Sequence, residues 1–436
     1  MKNILLINLS VKQQVEKFVE NEVGYNPAIG LLSIATYMEM NGYRANVLDL
    51  IYEKINIDGL INKIAETSPI LIGISAYTEN YKNVLETAKQ IKCLYGDVKI
   101  AVGGAHATLV PNDLIKSRYI DFVVLKEGEP TFLELAEAVS TDEEAIRYED
   151  IDGLVFKRGK EINKNKYRKP IKDLDLLPII KRELVDINRY NGTVNISTSR
   201  GCPANCVYCA ATALSGATYR TRDVRNVFME IVLIKHLTGD KTKYVYFVDD
   251  TFTGIKDRIH TFIRLMNEYK PDVKWSCESR IDIMTEELFK EMVESGCYSV
   301  QFGIESGNQE VLNKIRKNID LKDAKRKIKY ASQFDIEICL SFMLGHYCDT
   351  KETMLDTYKF IEEVCSQNSN IKIGVGFNTP FPGTWQFSHK DELGYDILEK
   401  DYSNYTLLQP VIETENFSRD DQLDVFMKIR QYQKCV

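Results

Sequence analysis

Short apolar runs alternate with helix-patterned stretches along two separate parts of this chain. That order points to an α/β protein built on parallel sheets with helices on both faces. In the first part, Ile4–Leu9, Ala45–Leu50, Ile70–Ser75, Val98–Gly103 and Asp121–Lys126 are the predicted strands. Gly30–Met40, Ile57–Glu66, Tyr81–Leu94 and Pro111–Lys116 are the predicted helices between them, and Thr131–Val139 follows the last strand. The alternation resumes with strands expected at Val194–Ser199, Tyr244–Val248, Val273–Glu278, Ser299–Gly303, Glu337–Met343 and Lys372–Gly376. Helices among these are expected at Val224–Leu237, Ile255–Tyr269, Glu286–Ser295 and Lys351–Val364. Ligands on such sheets bind beyond the carboxyl ends of the strands, so the loops there carry the chemistry.

After the strand at 194–199 comes Cys202-Pro-Ala-Asn-Cys206-Val-Tyr208-Cys209. The C-x3-C-x2-C spacing lets one loop present three thiolates to a single centre. Thiolates are soft ligands and suit iron–sulfur clusters or zinc. A four-iron cluster needs a ligand on each iron, so three cysteines would leave one iron open. A zinc loop, or three unrelated core cysteines, are the alternatives. Further polar motifs end the later strands: Phe247-Val-Asp249-Asp250-Thr251, Ser276-Cys-Glu278-Ser-Arg280, Gly303-Ile-Glu305-Ser306-Gly307 and Asn378-Thr-Pro-Phe-Pro382-Gly-Thr384. Asp249 or Asp250 could equally cap a helix, and Arg280 could equally serve a surface ion pair.

Together these motifs resemble the radical S-adenosylmethionine (SAM) superfamily. The resemblance implies a partial (β/α)6 TIM-type barrel, with the SAM amino and carboxylate groups on the open iron. Tyr208 matches the aromatic before the last cysteine. Asp249 and Asp250 stand where the family contacts the SAM amino group, as an Asp-Asp pair seen in cobalamin-dependent members. Arg280, with Glu278 beside it, matches the partner of the SAM carboxylate. Glu305 and Ser306 match the turn beside the SAM ribose and methionine, and Lys314 and Lys317 follow on the next helix as in the family. The fifth strand departs from the pattern. Relatives read Gly-x-Pro-Gly-Glu/Asp-Thr where this chain has Gly345-His346-Tyr347-Cys348-Asp349-Thr350. Tyr347 and Cys348 are therefore candidate catalytic residues, able to lend a hydrogen atom or proton; a surface loop variant is the alternative.

In the first part, the strand-end loops are Ser75-Ala76-Tyr77-Thr78, Gly103-Gly104-Ala105-His106 and Glu127-Gly128-Glu129-Pro130. Paired glycines let a backbone approach a ligand closely, though they also make plain turns. With the segment Asn26-Pro27-Ala28-Ile29-Gly30, these loops resemble the cobalamin-binding domain found ahead of many radical SAM cores. The resemblance implies that Pro27, Gly30, Ser75, Ala76, Tyr77, Thr78, Gly103, Gly104, His106, Glu127, Gly128 and Glu129 surround that cofactor. The Asp-x-His-x-x-Gly motif, whose histidine ligates cobalt in some cobalamin proteins, is absent. His106 then reads as a pocket or structural residue. The lower face of the cobalt is left unligated or covered by a side chain such as Tyr77. The alternative is a relic that keeps the fold without the cofactor.

A chain of 436 residues is long enough for two or three domains. The formal charge of −7 argues against a nucleic-acid partner. No apolar run approaches the roughly 18 residues of a membrane span. The apolar N-terminus reads as a buried strand and not as a signal segment, since no small-residue cleavage site follows. The ten cysteines lack the spacing of a disulfide scaffold, so a cytoplasmic, reducing compartment is expected. Outside the loop they form no C-x-x-C pair, which argues against a second cluster. The expected order is a Rossmann-like (flavodoxin-like) cobalamin-binding domain over 1–140, and a linker over 141–190 with a hairpin near 151–160. A radical SAM core over 191–385 and a short C-terminal segment over 386–436 follow. The resemblance implies a class B methylase-like enzyme using a [4Fe-4S] cluster, SAM and cobalamin. A 5′-deoxyadenosyl radical would activate an unactivated carbon of an unidentified substrate, and methylcobalamin, facing the cluster across it, would methylate that carbon. Flavodoxin or ferredoxin would supply the electron. The alternatives are a radical rearrangement, cyclisation or elimination without methyl donation, and a non-catalytic binding protein.

Overall fold

A computed structural model of the protein describes residues 1–9, 26–50, 55–140, 147–186, 193–216, 218–366 and 370–435. The acidic run at 142–144 and the boundaries expected at 141 and at 190–191 lie outside the described residues. The chain divides into two compact units, Met1–Tyr190 and Asn191–Val436.

The first unit is built on strands β1 (Asn3–Asn8), β2 (Arg44–Asp49), β3 (Leu71–Ser75), β4 (Lys99–Gly103) and β5 (Phe122–Val124). They are parallel neighbours in the order β2-β1-β3-β4-β5. This is the flavodoxin-like order, whose switch point lies between β1 and β3. Alternate residues of each strand enter different cores. Leu5, Ile7, Ile72, Ile74, Ile100 and Val102 pack on one face, where helices Ile57–Thr67 and Tyr81–Leu94 contribute Leu60, Ile64, Val84, Ala88 and Ile91. Ile4, Leu6, Leu71 and Ala101 pack on the other, with Leu31, Ala35 and Met38 of helix Ile29–Met40 and Phe132 and Leu135 of helix Glu129–Ser140. Burial on both faces explains why these strands read as continuous apolar runs.

The hairpin expected near 151–160 forms as β6 (Leu154–Arg158) and β7 (Glu161–Lys164). It joins the first sheet, with β6 antiparallel to β5. The fifth strand is shorter than expected: at its end the Leu125 N–H turns to the Gly153 carbonyl at 2.9 Å and the Lys126 N–H to the Thr108 hydroxyl at 2.8 Å, with Lys126 at φ +61°. A five-residue helix, Ala105–Leu109, follows the paired glycines where a loop was expected.

The second unit carries β8 (Thr193–Ile196), the short β9 (Ser199–Arg200) and β10 (Arg220–Thr221), and β11 (Tyr244–Phe247), β12 (Lys274–Ser279), β13 (Cys297–Glu305), β14 (Glu337–Leu344) and β15 (Ile371–Phe377). Six of these form one parallel sheet in the order β15-β14-β13-β12-β11-β8. The strands follow chain order, and β8 and β15 stand at opposite edges; among the described residues no pairing closes the sheet into a barrel. Under the helix Lys256–Tyr269, Phe247, Phe252, Phe262 and Trp275 make an aromatic core; Phe247 and Phe252 stack at 4.2 Å. The last strand leads into a hairpin, β16 (Tyr395–Ile397) and β17 (Ile412–Thr414), and then helix Arg419–Cys435, which packs on helix Lys351–Cys365 and on β15. Among the described residues, no helix is long and apolar enough to cross a membrane.

One glycine decides how the first unit's loops meet. Gly104 has φ +100°, and a Cβ there would stand 2.8 Å from the Ala76 carbonyl oxygen. Both the backbone conformation and the contact demand glycine. The Gly104→Ala variant is expected to lose about 1–3 kcal/mol of stability. Urea unfolding should show a lower midpoint at an unchanged slope.

Candidate functional site

The cysteine loop of the second unit leaves the sheet at the end of β8 and returns through β10. Its base is clamped by the β9–β10 ladder, Arg220 opposite Arg200 and Thr221 opposite Ser199. Gly201 opens the loop with φ +88°, and its Cα stands so close to Thr218 that a Cβ would meet the carbonyl oxygen at 2.1 Å. Inside the loop the Cys209 N–H donates to the Cys206 carbonyl at 3.2 Å. Its centre is held from two sides: the Val207 N–H donates to the Ile315 carbonyl at 3.2 Å, and the Val207 carbonyl accepts from the Gln386 N–H at 3.0 Å. Cys202 Sγ lies 3.7 Å from Thr251 Oγ1, and Cys209 Sγ accepts from the Ala211 N–H at 3.4 Å.

The ends of β11, β12 and β13 bring the acidic candidates to this loop. Asp249 is buried, and its carboxylate accepts from the N–H groups of Thr198 and Ser199 at 2.6 and 3.0 Å and from the Thr198 hydroxyl. Asp250 beside it is exposed, with no side-chain hydrogen bond to a described residue. Glu278 accepts from the Tyr246 hydroxyl at 2.5 Å. Arg280 makes a bidentate pair with Asp282 at 3.0 Å on each bond and donates to the Lys317 carbonyl at 2.8 Å. Glu305 sits at a β-bulge with φ +73°, and its carboxylate accepts from Lys317 Nζ at 3.0 Å. The Ser306 hydroxyl accepts from the Asn308 N–H at 3.2 Å and faces Thr357 Oγ1 at 3.4 Å, so it shapes the turn into helix Gln309–Lys314.

In the first unit, the loops after β3 and β4 are stitched together. The Ala76 N–H donates to the Gly103 carbonyl at 2.8 Å, and the His106 N–H to the Ala76 carbonyl at 3.0 Å. Buried Asn80 accepts the Tyr77 N–H at 2.8 Å and donates to the Leu9 carbonyl at 3.3 Å. That leaves the Tyr77 ring 49 % exposed at the end of β3, by the switch point. His106 is wholly buried, its Nδ1 3.4 Å from Thr78 Oγ1 and its ring 4.9 Å from that of Tyr81. Burial lowers it to about 4, so it is a neutral structural ring at neutral pH. Pro27 is buried just before helix Ile29–Met40, and Gly30 is exposed in its first turn. Glu127 accepts the Ile171 N–H at 2.8 Å, and Glu129 accepts the Ser33 hydroxyl at 2.7 Å, with Gly128 between them close to Ile34.

The family model for the radical SAM superfamily matches residues 196–361, and that for the B12-binding domain matches residues 18–136. An uncharacterized methyltransferase of Pyrococcus horikoshii is 29 % identical over 420 residues, covering 94 % of this chain and 89 % of that protein. The cytidylyl-2-hydroxyethylphosphonate methyltransferase of Streptomyces wedmorensis is 28 % identical over 393 residues, covering 77 % of this chain and 73 % of that protein. The radical SAM methyltransferase TsrM of Kitasatospora setae, solved with cobalamin and a [4Fe-4S] cluster, shares the fold with a TM-score of 0.81 at 17 % identity, over 98 % of this chain and 91 % of that one. The chain therefore joins a B12-binding domain to a radical SAM domain, and along most of its length it is similar to the cobalamin-dependent radical SAM methyltransferase family.

The cofactors of that family are a [4Fe-4S] cluster, SAM and cobalamin, as the resemblance implied, and the protein is an enzyme. The residues present suit a cationic ligand. Glu278 is raised above the usual carboxylate range by burial, and Asp250, Glu305 and Asp249 push it further. Asp250, though exposed to solvent on one side, is raised by the protein atoms crowding its other side and then by Asp249. Tyr208 is raised well above its ordinary value by burial, Glu305, Cys206 and Cys209. Crowding by protein atoms pushes the Cys209 thiol up to about 11, with Cys206, Asp250 and Cys202 adding to it. A positive charge held near any of these groups would lower it. Among the described residues no three His, Cys, Asp or Glu converge as a site for a single metal ion. Thiolates that bind three different irons of a cluster have no need to.

Lys317, expected on the helix after Ser306, lies beyond that helix, which ends at Lys314, and neither its pairing with Glu305 nor any role for His346 was expected from sequence. Lys317 carries no periodic signal, because only the bulge at Glu305 aims the carboxylate at it. His346 is wholly buried in the departing loop, with its ring 5.6 Å from that of Tyr208 and near the Glu305 backbone. Of the two catalytic candidates on that loop, Tyr347 spends its hydroxyl on the Lys314 carbonyl at 3.0 Å. Cys348 is pushed up to about 12, first by burial and then by Asp349, and so keeps its S–H.

Two outcomes follow from this geometry. Lys317→Met strands the buried Glu305 carboxylate and should cost about 3–5 kcal/mol in urea unfolding, most of it recovered in the Lys317→Met/Glu305→Gln double variant. Asp349 is raised to about 6 by burial, against hydrogen bonds from Thr353 and the His346 N–H. The folded state therefore holds this proton more tightly than the unfolded chain. Stability from this group is present at low pH and falls by about 3 kcal/mol as pH rises from about 4 to about 6. Urea midpoints across that window should show the decline, and Asp349→Asn should flatten it.

Proposed function

We propose that this enzyme methylates an unactivated carbon, with the two units of the chain holding separate cofactors. The observation that carries this reading is the pinned three-cysteine loop opening on an acid-lined strand end. Cys202, Cys206 and Cys209 hold the cluster over 191–385. Tyr208, Asp250, Glu278, Arg280 and Glu305 contact SAM, while Asp249 and Ser306 hold the backbone that presents them. Arg280 would exchange Asp282 for the SAM carboxylate, which has the same bidentate geometry.

In the segment 1–140, the loops at 75–78 and 103–106 would cradle cobalamin. Pro27, Gly30 and 127–129 would flank it, and Tyr77, half exposed at the end of β3, would pack against the cofactor. The unit contains no exposed imidazole, because His106 is buried and bonded to Thr78. Bound, SAM and methylcobalamin supply a 5′-deoxyadenosyl radical and a methyl group; the protein supplies orientation and exclusion of water. The neutral Cys348 thiol and Tyr347 phenol are the groups able to return a hydrogen atom or proton. A cytoplasmic flavodoxin or ferredoxin provides reducing equivalents.

Anaerobically reconstituted protein, given methyl-labelled SAM and candidate substrates, tests the reading. Labelled product together with 5′-deoxyadenosine is expected. 5′-Deoxyadenosine without label transfer would instead indicate a rearrangement, cyclisation or elimination. Protein purified in the presence of cobalamin should carry its visible spectrum, and Tyr77→Ala should shift the bands of the bound cob(II)alamin.

A further inference from the structure

The loop that carries the cluster cysteines is held at its centre, Val207, by two neighbours. Ile315 accepts its N–H, and the Gln386 N–H donates to its carbonyl. The residues beside those two neighbours reach the surface. Lys314 and Arg316 flank Ile315 and are both exposed. Neither has a carboxylate partner among the described residues. Trp385 precedes Gln386, and the Arg316 guanidinium lies over its ring at 4.6 Å. On Trp385 stacks His389, with ring centroids 4.2 Å apart and planes at 19°. A lysine in the last turn of a helix is explained by the helix dipole. That account covers Lys314 and fails for Arg316, which lies beyond the helix with φ +58°.

We propose that the surface formed by Lys314, Arg316 and Trp385 is the docking face for a small acidic one-electron carrier protein. The chain as a whole carries a formal charge of −7, so its net charge opposes the approach of an acidic carrier. Two unpaired cations beside the cluster loop then select both the place and the orientation of contact. A flat Arg–Trp–His stack adds the aromatic and arginine character that protein interfaces favour. One electron passes from the reduced carrier to the oxidised cluster; the carrier is oxidised, the cluster is reduced, and no atom or proton moves.

The inference rests on the assignment of the cluster to Cys202, Cys206 and Cys209. The test is anaerobic stopped-flow mixing of reconstituted holoprotein with photoreduced flavodoxin, following the bleaching of cluster absorbance, with dithionite in parallel. Lys314→Glu/Arg316→Glu should slow reduction by flavodoxin roughly ten- to a hundredfold at low salt and leave reduction by dithionite unchanged. The wild-type rate with flavodoxin should fall as salt rises, and the variant's should not. Equal rates for variant and wild type with flavodoxin would overturn the proposal. So would a matching loss with dithionite, which would mean damage to the cysteine loop itself. Wild-type protein that takes up no cluster would overturn the cluster assignment first, and this inference with it.

Discussion

The carboxylate of Asp249 holds the entrance to the cysteine loop, and most of the second unit's site depends on it. It stands at the end of β11 and accepts from both N–H groups of Thr198 and Ser199 and from the Thr198 hydroxyl. Arg258 adds to the same corner by donating to the Thr198 and Arg222 carbonyls at 3.1 and 3.2 Å. These bonds fix where β8 stops and where the β9–β10 clamp starts, and so where Gly201 turns the chain into the cysteines. A buried carboxylate is costly unless its lone pairs are filled. Even here burial wins: Asp249 stays raised despite the opposing pull of Thr198, Arg258 and Ser199.

Charge is distributed with the same economy around that corner. The strand ends concentrate carboxylates and thiols that raise one another, and the cations among them are already engaged. Lys317 is spent on Glu305, and Arg280 on Asp282. An anionic site built this way discriminates by sign before any shape complementarity acts, since a cationic ligand removes several like-charge repulsions together. The left-handed backbone at Glu305 belongs to the same device. A non-glycine residue in that region is strained, and the 3.0 Å bond to Lys317 together with the bulge against β14 keeps it there. The unpaired cations lie outside this enclosure, on the far margin of the cysteine loop.

The architecture was legible because its signal is local. Ile4–Ile7 and Ile70–Ile72 are apolar at consecutive positions in short runs, the pattern of a strand covered on both faces. The cysteine spacing was legible for the same reason. What sequence could not show was pairing at a distance. Nothing in the stretch after residue 126 signals that the hairpin at 154–164 would extend the first sheet, because an antiparallel edge strand depends on its neighbour as much as on its own residues. The helix at 105–109 was hidden behind paired glycines that normally end structure. Lys317 lies twelve residues after Glu305, a separation that matches no period of helix or strand, and only the bulge brings the two together.

A second limit concerns roles. A polar residue in a motif can either contact a ligand or hold the loop that does, and the two look alike in sequence. The structure separates them by asking where each side chain's hydrogen bonds already go. Asp249 and Ser306 are consumed by backbone partners, whereas Asp250, next to Asp249, is exposed with its carboxylate available. The first unit repeats the division. Asn80, Glu127 and Glu129 are bound to Tyr77, Ile171 and Ser33, and Tyr77 is the side chain that this bonding leaves facing outward. Each unit thus uses one short polar residue on a neighbouring segment to pin a loop, and one glycine, Gly104 or Gly201, to let the backbones approach. Residues adjacent to a pin, not the pins themselves, are then the ones free to meet a cofactor. Motif resemblance alone assigns both kinds to the ligand, because the constraint on the pin is as strict as the constraint on its neighbour.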